Sequence, residues 1–161
     1  MVYRTAVARV IFAGLVALAT ASGSRADTPP IAIDGLVKQA QRVTADDLRR
    51  LPPIERHVTF QTDHGEQNAT YTGVLLWSLV ERAGVNDPAK WGELRHVLAV
   101  TAADGYLLLV SLGEIDPNFG DAPAMLAYEQ DGKPLPALRL IFAGDRHGAR
   151  DVRDVVRIEV R

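Results

Sequence analysis

Residues 138–160 read LRLIFAGDRHGARDVRDVVRIEV, and they constrain the fold more than any other segment. Side chains alternate between faces along a strand, so Leu138, Leu140 and Phe142 would share one face, and Val156, Ile158 and Val160 would share one face of the next strand. Between these runs lies a loop, Gly144 to Arg153, carrying Arg146, His147, Arg150 and Arg153. Glycine lets a backbone approach closely, and the guanidinium fork grips phosphate or carboxylate through two bonds. Two strands presenting a glycine-rich basic loop point to an anionic ligand.

The rest of the chain supplies a sheet-rich frame. Ile31 to Ile33 predicts a short strand ending at the Asp34-Gly35 turn signal. Thr44, with Asp47 three residues on, predicts a capped helix that Pro52-Pro53 stops. His57 to Thr62 alternates as a strand. Leu75, Leu76, Leu79, Val80 and Ala83 form one helical stripe, closed by Gly84. Trp77 lies beside that stripe, which suits peripheral packing. Val97 to Thr101 and Tyr106 to Val110 flank Ala103-Asp104-Gly105 as a hairpin, and both runs are apolar on both faces, predicting central strands. Met125 to Glu129 and Leu138 to Phe142 flank the Asp131-Gly132 turn. Many strands, tight turns and a few helices predict an α+β domain with a mixed, largely antiparallel sheet.

Residues 1–26 are expected to be a signal peptide. Arg4 and Arg9 form a basic start, Val10 to Ala21 a short apolar core, and Ser24-Arg25-Ala26 a small-residue cleavage site. Residues 27–161 form the domain. All 20 acidic residues lie after the signal with 15 of the 18 basic ones, so the mature chain stands near −5. From Arg139 onward six arginines face four acids, so the basic charge gathers at the C-terminal end. Such a chain is a poor partner for nucleic acid, and nothing after the signal could cross a membrane. There is no cysteine, which excludes disulfides, thiol chemistry and iron–sulfur sites, and fits an oxidising compartment.

Several segments, in order, carry a family resemblance. IAIDGLV looks like an opening strand, VTADDLRRLP the following helix, and TYTGVLLWSLVERAGV the helix after a cofactor-ligand segment. ADGYLLLVSLGE looks like a central hairpin, LAYEQDGKPLP a turn, and Arg139 in LRLIFAG, the turn GDRHGAR and DVRDVVRIEV the close. From about residue 31 onward the chain resembles the cofactor-binding domain of the sulfite oxidase family, the molybdopterin-dependent oxidoreductases. The resemblance implies a sulfite-oxidase-like molybdopterin-binding fold, with cofactor-phosphate contacts in the loop of Arg146, His147, Gly148, Arg150 and Arg153. It also implies that the hairpin of Asp104 and Tyr106 faces the cofactor pocket. In that family a cysteine thiolate holds molybdenum. It would fall near Gln61 to Asn68, which here reads QTDHGEQN, so that ligand is missing.

Other candidates are weaker. His64 with Asp63 and Glu66 occupies the ligand segment, but no second His stands at ligand spacing, and a solvated loop is expected. His57 and His96 form no metal motif. Asp116, Asn118 and Asp121 form half a calcium loop without its last Glu, as expected of a polar turn. Ser78 and Ser111 lack a G-x-S-x-G setting. Asp104 in an Asp-Gly turn suits bonding to its own turn amides.

Two expectations of function follow. The first is an exported binding module that keeps this fold without molybdenum redox chemistry, taking a small anionic ligand or a periplasmic protein partner. The second is a molybdopterin-dependent oxidoreductase with His64 or solvent in place of the thiolate. The signal lacks a twin-arginine pair, so it would deliver the chain unfolded and empty to the periplasm or outside of a bacterial cell. No metal site is expected, and molybdopterin enters only through the resemblance.

Overall fold

The computed structural model describes residues 29–62, 65–120 and 124–161. Its strands are β1 (Ile31–Gly35), β2 (Gln41–Val43), β3 (Ile54–Thr62), β4 (Gly65–Leu75), β5 (Val97–Ala102), β6 (Leu107–Ser111), β7 (Ala124–Gln130), β8 (Lys133–Phe142) and β9 (Val155–Val160). The helices are α1 (Ala45–Arg49), α2 (Leu76–Ala83) and α3 (Leu112–Ile115), with single 3-10 turns at Gly92–Arg95 and Gly148–Arg150.

The strands form two sheets, ordered β2-β1-β9-β5-β6 and β3-β4-β7-β8. Every pairing is antiparallel except β1 with β9. Facing surfaces of the two sheets, with α2, enclose the main core, in which Ile33, Leu48, Leu79, Leu98, Leu126, Leu140 and Ile158 are buried. Alternation along β8 sends Leu138, Leu140 and Phe142 into this core. Ile141 goes to a second buried cluster with Val58, Phe60, Tyr71 and Met125 on the other face of the same sheet. That face is covered because the sheet curls: Gln61 on β3 bridges to His147 beyond β8, and the Gln61 amide donates to the Arg146 carbonyl at 2.9 Å.

Local signals act where the sequence places them. Thr44 and Asp47 exchange bonds in a full capping box, with the Thr44 amide donating to Asp47 Oδ2 at 2.9 Å. The α2 stripe buries Leu76, Leu79, Val80 and Ala83 and ends at Gly84 with φ 67°, while Trp77 packs at the core's margin. Asp131 and Gly132 both take positive φ, the geometry that closes a two-residue hairpin between β7 and β8.

Four expectations change. TYTGVL is strand, not helix: β4 runs to Leu75, and α2 starts only at Leu76. β1 runs through Asp34 and Gly35, which both pair with β9, and ends at Gly35 with φ 88° instead of at Ile33. On β9, Val155 is buried and Val156 exposed, since a bulge between Thr101 and Ala102 sets Ala102 against Val155. β6 is an edge strand and not a central one, and its Leu109 stays 56 % exposed. Asp116 does form a polar turn, accepting from the Asn118 amide at 2.8 Å, while Asp121 lies outside the described residues.

Candidate functional site

The curled sheet is open at one end, and there β8 points Arg139 inward. Residues two apart from Ile141 share its face, so Arg139 enters the second cluster with its side chain against aromatic rings. Its guanidinium lies 5.2 Å from the Tyr71 ring centre and 5.9 Å from that of Phe60. A guanidinium over aromatic faces is held by their quadrupoles. Only 8 % of Arg139 is exposed.

A cleft of about 1020 Å³ opens over this arginine. Its walls are the end of β3 (Phe60, Gln61, Thr62), the β5–β6 hairpin (Ala102, Asp104, Tyr106), Arg139, and the returning segment from His147 to Ala149 and Asp151 to Asp154. A smaller hollow of about 580 Å³, lined by Glu66, Asn68, Leu135 and Pro136, shares Arg139, Arg153 and Asp154 with it. The tip of the hairpin is tied to the opposite wall, because the Tyr106 hydroxyl donates to the Ala149 carbonyl at 2.8 Å. Asp104 performs the turn role, accepting from the Tyr106 amide at 2.9 Å. Gly148 must be glycine for packing, since a Cβ there would stand 2.8 Å from the Phe60 ring.

The fold thus brings Arg139, His147, Gly148, Arg153, Asp104 and Tyr106 to one cleft. Arg146 stays exposed outside these walls and contributes its carbonyl to Gln61. Arg150 is also elsewhere. Its Nε donates to Asp145 Oδ2 at 2.7 Å, its Nη1 meets the Glu114 carboxylate, and its guanidinium lies 4.2 Å from the Phe142 ring centre. The Asp145 bonds, before those to Glu114, push its pKa above the usual arginine value. Arg150 fastens the loop to α3. Arg150→Ala should therefore leave anion affinity within about threefold while lowering stability by about 1 kcal/mol, the scale of a half-exposed ion pair. Titration and thermal melting of the variant check both parts.

The residue that sequence reasoning missed is Asp151. Its carboxylate is turned inward with its side chain only 2 % exposed. Oδ1 accepts from the Phe142 amide at 3.2 Å, while Oδ2 stands 3.6 Å from Arg139 Nη2. That separation is an ion pair but too long for a hydrogen bond. Among the described residues, Asp151 Oδ2 and Arg139 Nε are buried without hydrogen-bond partners. Burial pushes the Asp151 carboxyl up from 3.8 to about 6, against the opposing pull of the Phe142 amide and Arg139. Burial likewise lowers the Arg139 pKa from its usual value. Desolvation outweighs the attraction between the two charges. No signal in the sequence marks Asp151, because the pairing with Arg139 exists only once the loop folds back.

The raised Asp151 pKa has a sign for stability. The native state holds this proton more tightly than the unfolded chain, so its ionisation costs stability as pH rises from about 4 to about 6. Asp151→Asn keeps the amide contact and cannot ionise. It should melt with the wild type at pH 4 and above it at pH 7.5, by about 3 kcal/mol at most. Equal melting at pH 7.5 would show that ionised Asp151 costs the fold nothing.

His64 and Asp63 lie outside the described residues. Among the described residues there is no group of three or more His, Asp or Glu side chains placed to hold a metal ion. No described helix is long and apolar enough to cross a membrane.

Among solved structures, the chain is similar to the sulfane dehydrogenase SoxCD from Paracoccus pantotrophus, with a TM-score of 0.66 and 23 % identity. The match covers 82 % of this chain and 38 % of that one, so this chain spans well under half of its length. At that identity the likeness is one of fold. No curated protein matches the sequence. Two sheets, one curled beneath a cleft that mixes Arg139 and Arg153 with Asp104, Asp151 and Asp154, form a sulfite-oxidase-like domain of the molybdopterin-binding type. The chain belongs to the oxidoreductase molybdopterin binding domain family, whose model matches residues 19–161.

Proposed function

We propose that this chain is an exported member of its family that binds a small anion in the cleft at Arg139 and does not perform molybdenum redox chemistry. The observation that carries the anion reading is Arg139, which lines the cleft and whose buried Nε has no hydrogen-bond partner among the described residues. A buried donor without an acceptor is costly, and an oxyanion is the ligand that relieves it best. Arg153 supports it from the rim, where it forms no hydrogen bond or salt bridge with the described residues. His147 and the Gly148 backbone stand on the same wall.

The family implies a molybdopterin cofactor, and its two parts fare differently here. The phosphate-bearing organic part fits a cleft with Arg139 and Arg153 on one side. The metal part does not fit in the same way, because the chain has no cysteine to supply a thiolate. A first-coordination-sphere thiolate helps set the redox behaviour of such a metal. Export rests on the basic start, apolar core and small-residue site within residues 1–26.

Calorimetric titration of the full chain with inorganic phosphate at pH 6 tests the anion site. The expected dissociation constant is about 1 mM or tighter, roughly 4 kcal/mol of binding. No saturable heat at tenfold that concentration would refute it.

A further inference from the structure

The second orphaned atom of the cleft is an acceptor, and an anion site has no obvious use for one. Asp151 Oδ2 is buried 3.6 Å from Arg139 Nη2, and both residues line the same cleft. A bare oxyanion that settled against Arg139 would meet a carboxylate of its own sign in a dry wall. Like charges brought together in such a place cannot both persist, and one takes up a proton. We propose that Asp151 makes this cleft a proton-coupled anion site, in which an oxyanion binds together with one proton shared between itself and Asp151 Oδ2.

The inference rests on the anion reading and adds what selects the ligand. With the proton in place, Oδ2 gains the hydrogen-bond partner it lacks, and Arg139 is freed to bond the incoming group. The preferred class is then an oxyanion that carries its own acidic proton, such as a phosphate monoester in its singly charged form. A fully ionised ligand must draw the proton from solvent, so its affinity falls as pH rises.

The charged groups that face Asp151 act in both directions. Arg139 from β8 and Arg153 from the segment entering β9 favour the ionised form. Asp145 from the loop opposes it. Tyr71 from β4 lies under Arg139, and Asp104, His147 and Asp154 stand on the cleft walls. Burial is the largest influence and holds the carboxyl near the middle of the physiological range. His147 stands on the same cleft wall, so the experiment must separate the two.

Sulfate is the probe, because it stays a dianion between pH 5 and 8 and contributes no proton of its own. Titration of the full chain should show affinity falling above pH 6 by nearly tenfold per unit, to about 100-fold weaker at pH 8 than at pH 5. Repeating the pH 7 titration in two buffers of different ionisation heat should show close to one proton taken up per sulfate. Asp151→Asn should bind at pH 8 within a few fold of the wild type at pH 5, with a nearly flat profile. A wild-type profile flat from pH 5 to 8, with no proton uptake, would overturn the inference and leave the anion site standing. So would an unchanged slope in Asp151→Asn, which would assign the proton to His147. No sulfate binding at any pH in either protein would overturn the anion site itself.

Discussion

Replacing Arg139 by Met and Arg153 by Ala in one protein should cost at least about 100-fold in phosphate affinity at pH 6. Each charge-assisted bond is worth about 1.5–3 kcal/mol, and two of them exceed the roughly 2.8 kcal/mol that a 100-fold loss represents. Methionine is chosen because its flexible stem refills the space over Tyr71 and Phe60 where the arginine stem lies. Truncation to Ala at that position would open a cavity and confuse binding with folding. Arg153 lies exposed on the rim, so its loss should leave packing intact. An affinity within threefold of the wild type, in a variant with unchanged circular dichroism, would remove both arginines from the site.

Gly73→Ala should cost the fold heavily. Gly73 sits on β4 between β3 and β7, at the place where the pairing with β7 shifts register. A Cβ there would lie 2.3 Å from the Leu126 carbonyl oxygen and 2.7 Å from the Ala127 Cα. Both are backbone atoms of a central strand with buried neighbours, so neither can step aside cheaply. The expected loss is about 3 kcal/mol or more, the upper end for overpacking a core. The site would suffer with the fold, since Tyr71, beneath Arg139, lies two residues away on the same strand. Thermal melting checks this: a midpoint within about 2 °C of the wild type would mean that the two strands have room to separate.

Gly73 also shows where sequence reasoning reached its limit. The helix α2 was legible from its stripe, and α1 from Thr44 and Asp47, because both signals are local and complete within a few residues. β4 was not legible. Its apolar end, Val74 and Leu75, runs straight into the apolar face of α2, and no polar break marks the change of period. Its first half, Gly65 to Asn68, is polar because that end of the hairpin stands largely exposed, so alternation gave no signal there. β6 misled for the opposite reason. Leu107 and Leu109 look like core residues, yet they face outward on an edge strand.

The site was legible in part for related reasons. Alternation along LRLIF places Arg139 opposite Leu138 and Leu140, and the loop supplies Arg153 and His147 to the same cleft. Arg150 looked equivalent to Arg153 in the sequence. Its fate depends on Glu114, which stands 36 residues earlier and meets it only through the placement of α3. Asp151 was legible only as one of several acids in a basic loop. Its burial against Arg139 is a tertiary property, arising because Leu140 donates its amide to the Val152 carbonyl at 2.9 Å and draws the loop back over β8.

The account's central claim is that this family member holds an anion in its cleft and carries no protein-ligated molybdenum. The most direct measurement is the metal and pterin content of the protein purified from a host that makes the cofactor. Elemental analysis for molybdenum and tungsten would be paired with the fluorescence of oxidised pterin released by acid. The account predicts metal far below one atom per chain. Close to one atom per chain, with matching pterin, would contradict it and make the chain an oxidoreductase whose metal is held without a thiolate.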